Sequence, residues 1–450
     1  MEFSSGRLLG SLTFLALVLT VVLADPLVPA LIIFGDSVVD VGNNNNLSTV
    51  IKANFPPYGR DFVNHKPTGR FCNGKLATDF TAEYLGFTKY PPAYLSQEAS
   101  GKNLLTGVNF ASAASGFYDP TAQLYNSISL TQQLNNYKAY QSKVVNLVGQ
   151  TKANAIFSGG IHLLSAGSSD FIQNYYITPL ATIYTPDQFS DILIRSYSTF
   201  IQNLYGLGAR RIGVTSLPPT GCLPAAITLF GLGSNNCVTR LNGDAISFNK
   251  KLTSTSQSLQ TRLPDLRLVV FDIFQPLLDM VTKPSDNGFM ESRRACCGTG
   301  TLETSVLCNA RSIGTCNNVT GYVFWDGFHP SEAANEVLAG DLLQQGFPLI
   351  IYVTLVMCMA ISEEILEPVL DIKDPKLEVV SAVMSELKVT GTNLTATWNM
   401  TLLVTNRSHK LGMNFDIQAF VYCGPKDYYM LTMLFKTIGV RSKDIGSAGG

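Results

Sequence analysis

Ala30-Leu31-Ile32-Ile33-Phe34-Gly35-Asp36-Ser37-Val38-Val39-Asp40-Val41-Gly42-Asn43-Asn44 is the stretch on which the fold turns. Residues 30–34 form a short, wholly apolar run, the pattern of a strand buried on both faces of a parallel sheet. Gly35 permits a sharp turn out of that strand. Ser37 then falls where a helix or tight turn begins, beside unpaired backbone N–H groups and a dipole that favours negative charge. A serine so placed can lose its proton during attack while nearby amides hold the oxyanion. The same residues also read as an ordinary strand-to-helix cap, so this stretch needs a partner elsewhere.

Trp325-Asp326-Gly327-Phe328-His329-Pro330-Ser331-Glu332 supplies one. A nucleophilic serine needs a base, and the base needs an acid to orient it. Asp326 and His329 are three apart in a Gly-containing turn, with Pro330 suited to the first turn of a following helix. The chain has only 4 histidines, which makes elimination informative. His65 lies in a polar loop, His162 in an apolar strand where a core role is commoner, and His409 in a distant tail. His329 is the base candidate.

With these two blocks stand Pro67-Thr68-Gly69-Arg70-Phe71-Cys72-Asn73-Gly74, Gly107-Val108-Asn109-Phe110-Ala111-Ser112-Ala113-Ala114-Ser115-Gly116 and Gly167-Ser168-Ser169-Asp170. In this order the five blocks resemble the plant GDSL-type esterase/lipases of the SGNH hydrolase superfamily, over residues 30 to about 345. The resemblance implies a flavodoxin-like α/β fold and a secreted serine esterase acting on acyl esters: lipid, acetylated polysaccharide or cutin-like polyester. It makes Ser37 the nucleophile, His329 the base and Asp326 its orienter. It also makes Gly107 an oxyanion-hole donor beside the N–H of Ser37. The chain departs from the pattern at Ser169, where the family has an oxyanion-hole asparagine. Asp40, Asn43 and Asn44 match the first block and would line the site by hydrogen bonds.

The residues themselves argue for the same architecture. Apolar runs at 30–34, 108–111, 161–166, 211–216 and 266–272 alternate with helical patterns at 75–85, 132–148, 187–205, 240–261 and 331–343. Such alternation predicts a parallel sheet with helices on both faces, its ligand beyond the carboxyl ends of the strands. Ser37, Gly107 and Ser169 each fall near an expected strand end. Gly208 suits the C-cap of the third helix. Among the polar residues, Asp36 reads as a turn brace or a cap, Asp170 as structural, and Arg70 as an anchor for the loop before Lys75.

Composition narrows the function classes. The chain has 450 residues, 46% of them hydrophobic and 14% charged, with a net charge of −1. Nothing in that balance suggests a nucleic-acid partner. No Gly-x-Ser-x-Gly, His-Glu-x-x-His, Cys-x-x-Cys or Walker-type loop occurs, so neither a metal nor a cofactor is implied. Residues 1–24 read as a signal peptide: Arg7, an apolar run, then Val22-Leu23-Ala24. Secretion implies disulfides. Seven cysteines lie between residues 25 and 346, an odd number, and the isolated Cys72 is the one expected to be free. Cys222 and Cys237 bracket a Pro/Gly loop and should pair. Cys296 and Cys297 should reach Cys308 and Cys316, in either combination. Asn46 and Asn318 stand in glycosylation sequons.

The hydrolase region is expected to span 25–346, and the chain changes character beyond it. Residues 347–361 form an apolar run of 15, short of the roughly 20 that a membrane helix needs; membrane contact through it is an expectation. Leu394-Thr395-Ala396-Thr397-Trp398-Asn399-Met400-Thr401-Leu402 alternates as a half-buried strand does. Residues 347–425 resemble part of the plant late-embryogenesis-abundant hydroxyproline-rich glycoprotein family, a membrane helix followed by a β-sandwich. The resemblance implies an incomplete sandwich in 347–450. Sequons at Asn393, Asn399 and Asn406 would face the cytosol if a cleaved leader were followed by one span. That conflict points to two fused coding units. The residues leave three other readings open: acyl transfer at the same site, a weakly active wall-binding protein, and an interaction protein defined by the tail.

Overall fold

The computed structural model describes residues 26–346 and 349, and the backbone of residues 376–390, 393–405, 410–423 and 429–442. The leader 1–24, the run 347–361 apart from Leu349, Asn406 and His409 lie outside the described residues.

Four parallel strands form the sheet at the centre of the first unit: β1 (Leu31–Gly35), β2 (Ile161–Ser165), β3 (Arg211–Thr215) and β4 (Arg267–Phe271), in that spatial order. Every residue of β1 is buried. The sheet is in register from Phe34 to Leu164 and from Leu164 to Val214. Gly35 is required where β1 ends. Its φ is +146°, and a Cβ there would lie 2.0 Å from the Ser165 carbonyl oxygen.

The run 108–111, expected as a strand, makes two isolated parallel bridges, both at Asn109: to Ile33 of β1 and to Ala93 on the far side. Ile33 N–H donates to the Val108 carbonyl (3.1 Å), and Phe110 N–H donates to that of Ile33 (2.7 Å). On its far side Asn109 N–H donates to the Pro92 carbonyl and its carbonyl accepts from Tyr94 N–H. The segment lies along the side of β1 opposite β2. Counted as a strand it stands second in the chain, and the order becomes 2-1-3-4-5, that of flavodoxin-like sheets. The topological switch point then falls at the carboxyl end of β1, where Ser37 sits.

Helices cover both faces, as the alternation predicts: α1 (Ala77–Tyr84), α2 (Leu130–Val148), α3 (Gln150–Gly159), α4 (Pro186–Gly206), α5 (Pro224–Phe230), α6 (Thr239–Arg262), α7 (Phe274–Thr282) and α8 (332–346). α2 and α4 start with capping boxes, Ser129 with Gln132 and Thr185 with Gln188, which satisfy the first N–H groups. Their apolar sides meet on one face of β1. Phe34 stacks on Phe110 at 5.2 Å and takes Tyr137 of α2 and Phe200 of α4 edge-on, each at 5.5 Å. On the other face Gly346 of α8 lies over the Phe271 ring. Gly208, at φ +97°, follows the end of α4. Pro330 does not open α8: Ser331 caps it, accepting from Ala334 N–H.

The first unit runs Val28–Leu349, slightly offset from the expected 25–346, with Leu349 only 1% exposed. Beyond it, β7 (Lys376–Thr390), β8 (Asn393–Thr405), β9 (Lys410–Cys423) and β10 (Tyr429–Ser442) pair antiparallel as a meander. The alternating residues 394–402 lie within β8. A small parallel pair, β5 (Glu291–Ala295) and β6 (Tyr322–Phe324), completes the first unit.

Candidate active site

Ser37 stands on a turn, not a helix, because Asp36 folds the chain back on itself. The Asp36 carbonyl accepts from Val39 and Asp40 N–H, and its carboxylate accepts from Val38 N–H at 3.2 Å. Asp36 N–H is pinned to the Ser165 carbonyl at the end of β2. Ser37 N–H donates to no described residue.

Residues 325–329 make the opposing turn. β6 delivers the chain, Trp325 N–H donates to the His329 carbonyl (2.9 Å), and Ser331 N–H returns to Val323 (2.9 Å). Within this closed loop one oxygen of Asp326 accepts from Phe328 N–H (3.0 Å), His329 N–H (2.9 Å) and His329 Nδ1 (2.7 Å). The far ring nitrogen, Nε2, is 2.7 Å from Ser37 Oγ, across 292 residues of sequence. Nδ1–H faces a carboxylate, so Nε2 is left to accept the serine proton. Ser37, His329 and Asp326 are all buried. Burial would push the Asp326 carboxyl up, but the His329 ring, the Tyr58 hydroxyl and Phe328 N–H outweigh it and hold the group below its ordinary value.

Gly107 does not belong to this site. Its N–H points to the Leu104 carbonyl, and its Cα packs on Leu31, the first residue of β1, at the end of the strand remote from Ser37. The reading that made it an oxyanion donor is corrected. The family-like block containing it is pulled away from Ser37 at that point because it runs parallel to β1, so only its later residues reach the carboxyl end. Ser112 N–H bonds the Gly35 carbonyl there (3.0 Å). Ser169 does lie at the carboxyl end of β2, in the short helix Ser168–Asp170, 4% exposed and with no protein partner for its hydroxyl among the described residues.

The sequence profile of the GDSL-like lipase/acylhydrolases matches residues 31–342. The chain belongs to this family. Two GDSL esterase/lipases of Arabidopsis thaliana are 72% and 71% identical to it over 328 and 329 residues, each match covering 72% of this chain and 93% of the relative. The GDSL esterase/lipase APG of the same plant is 63% identical over 326 residues, covering 72% of this chain and 92% of its own length. As a GDSL esterase/lipase the chain is an ester hydrolase, and acyl esters are its substrates. None of these matches spans the whole chain, and the profile match ends at residue 342, before the tail.

The other residues singled out in the GDSL blocks brace the site. Asp40 accepts from Gly42, Asn43 and Ala113 N–H, and Asn43 and Asn44 donate to the carbonyls of Asn109, Ala111 and Ala113. Asp170 gathers Phe117 N–H, Tyr118 N–H and the Thr121 hydroxyl. Arg70 grips Asp79 through two bonds of 2.8 and 2.7 Å, both partners buried. His162 is a core residue, bonded to Tyr137 at 2.9 Å, and His65 lies exposed against the Arg60 carbonyl. Cys222–Cys237, Cys296–Cys316 and Cys297–Cys308 are disulfides and Cys72 is free and buried. The four cysteines of the 296–316 region are thus bonded to one another, not arrayed as thiolate ligands.

Sequence reasoning missed two features. Ala114 is fully buried at φ +66°, left-handed for a residue with a Cβ, and its N–H has no partner among the described residues. Such strain is held only where the surroundings impose it, and alanine carries no sequence signal for it. Tyr58 donates to Asp326 at 2.7 Å from 268 residues away, with no local pattern to announce it.

Proposed function

We propose that Ser37, His329 and Asp326 act as a catalytic triad that hydrolyses acyl esters through an acyl-enzyme. The single observation that supports this most is the continuous pair of 2.7 Å contacts, Asp326 to His329 and His329 to Ser37. His329 Nε2 takes the proton of Ser37 Oγ as the oxygen attacks the ester carbonyl. Charge develops on the carbonyl oxygen, and the N–H groups of Ser37 and Ala114, with the hydroxyl of Ser169, are the candidate donors to it. The alcohol leaves with the proton from His329. Water, activated by the same ring, then releases the acid and restores the serine.

The substrate class is an ester of a lipid, an acetylated polysaccharide or a cutin-like polyester. The leader-like residues 1–24, three disulfides among the described residues and the sequons Asn46 and Asn318, both exposed, support a secreted, wall-located enzyme. Among the described residues no helix is long and apolar enough to cross a membrane. A fluorophosphonate probe should label the purified protein at Ser37 and abolish hydrolysis of a short-chain ester. Ser37→Ala should fold, escape labelling and lose activity. Near-wild-type hydrolysis by that variant would sink the triad.

A further inference from the structure

Asp326 is gripped from two directions. One oxygen serves the turn and the His329 ring. The other accepts two hydroxyls from outside the turn, Tyr58 Oη at 2.7 Å and Thr304 Oγ1 at 2.9 Å. The direction of the first bond is fixed by the protons available. Ser305 N–H, which can only donate, points at the same Tyr58 oxygen from 2.7 Å. The single Tyr58 proton therefore goes to the carboxylate. Burial first, and then the Asp326 charge, push the Tyr58 phenol well above its ordinary range, so it keeps that proton at any working pH.

Both hydroxyls are held by segments that are themselves bonded together, Ser305 Oγ to the backbone of Val50 and Lys52 and Ser305 N–H to Tyr58. The Tyr58 ring is 1% exposed and packs edge-on against Trp325, the residue before Asp326, and against Phe71. Phe71 in turn lies against the His329 ring, centroids 5.0 Å apart. Thr304 sits in the loop closed by Cys297–Cys308. That loop is itself tied to the catalytic turn: Gly327 N–H donates to the Glu303 carbonyl (2.8 Å), and Cys297 N–H to that of Trp325 (2.9 Å).

We propose that Tyr58 and Thr304 are positioning residues of the esterase. They hold one oxygen of Asp326 so that the other meets His329 Nδ1. The proposal rests on the triad reading. Neither hydroxyl touches substrate, so their loss lowers kcat and leaves KM nearly unchanged. Losing the hydrogen-bond partner that orients a metal-bound histidine or carboxylate typically costs about 10- to 100-fold, and the same order serves here by analogy. We expect about 10-fold for Tyr58→Phe and about 100-fold for Tyr58→Phe with Thr304→Val, with Thr304→Ser restoring most of the loss at that position.

The deciding measurement is a double-mutant cycle on the full chain with a short-chain ester, run beside thermal unfolding of each variant. If Tyr58 works through Asp326, Tyr58→Phe has no further effect on kcat in the Asp326→Asn background. An undiminished 10-fold loss there, or no loss in the wild-type background, overturns the proposal. A fall in stability with kcat unchanged at a temperature where both proteins are folded overturns it too, and marks the pair as merely structural. Full activity in Asp326→Asn alone would instead overturn the triad reading, a failure separable from the first.

Discussion

At the scale of single residues, burial raises the pKa of three carboxyls packed around the site. Burial pushes the Asp36 carboxyl up to about 7 and Asp170 up to about 7; Asp40 rises to about 6 for the same reason. In the unfolded chain each would release its proton near its ordinary value of 3.8. Between that pH and neutrality the folded state holds more protons, so their contribution to stability is full at low pH and is lost as pH rises through 6 to 7. His162 opposes them: burial lowers it to about 4, and its contribution is present above its ordinary 6.5 and lost as pH falls through 4. Three groups against one give a Tm that falls between pH 5 and pH 8, and Asp36→Asn should flatten the slope; a Tm rising over that range would contradict the assignment. Ser169 supports a second residue-scale prediction. Losing an oxyanion donor typically costs about 100- to 1000-fold in kcat. Ser169→Ala should therefore slow turnover with little change in KM, and steady-state kinetics showing alanine as fast as serine would remove position 169 from the site.

At the scale of elements, the catalytic turn depends on a neighbour it does not touch in sequence. The loop between Cys297 and Cys308 supplies Thr304 to Asp326 and the Glu303 carbonyl to Gly327. Opening this loop by Cys297→Ser with Cys308→Ser should cost about 3 kcal/mol in the chain-entropy picture. It should also lower kcat more than the same substitution at Cys222 and Cys237, whose loop bonds the turn through Ala225 N–H on the Gly327 carbonyl (3.0 Å) but gives no group to Asp326 among the described residues. Chemical denaturation and kinetics on the two variants check this; equal kcat losses would separate the loop from the chemistry. The edge segment 108–111 is a similar case. Its pattern is that of a strand, and it carries the chain along β1 until Ser112 N–H meets the Gly35 carbonyl, which brings 112–114 to the end of β1.

At the scale of the whole molecule, the hydrolase unit closes with Leu349, not with the last residue of the family match at 342. A chain ended after residue 349 should fold and keep wild-type kcat/KM. One ended after Gly346 forfeits a buried leucine, worth roughly 2 kcal/mol, and should melt lower while remaining active. Expression of the two truncations with thermal melts tests the boundary; loss of soluble enzyme in the longer one would make the tail part of the hydrolase.

The four strands of the central sheet, the long helices at 132–148, 187–205 and 240–261, Ser37, and the Asp326–His329 turn are legible in the chain. Each is encoded locally, by an apolar run, a helical periodicity, or a spacing of three within one turn. The pairing of Cys222 with Cys237 follows from proximity in sequence for the same reason. What the chain alone left open is what depends on contacts between distant segments. Cys296 pairs with Cys316, and Cys297 with Cys308; the fold brings residue 316 onto 296, where Cys316 N–H donates to the Cys296 carbonyl at 2.8 Å. Gly107 lay in the right block but at the wrong end of β1, since a motif carries order along the chain and not distance across a sheet. Ala114 and Tyr58 had no signal at all. A strained φ is imposed by the turn around it, and a hydroxyl reaching Asp326 across 268 residues is placed only by the fold.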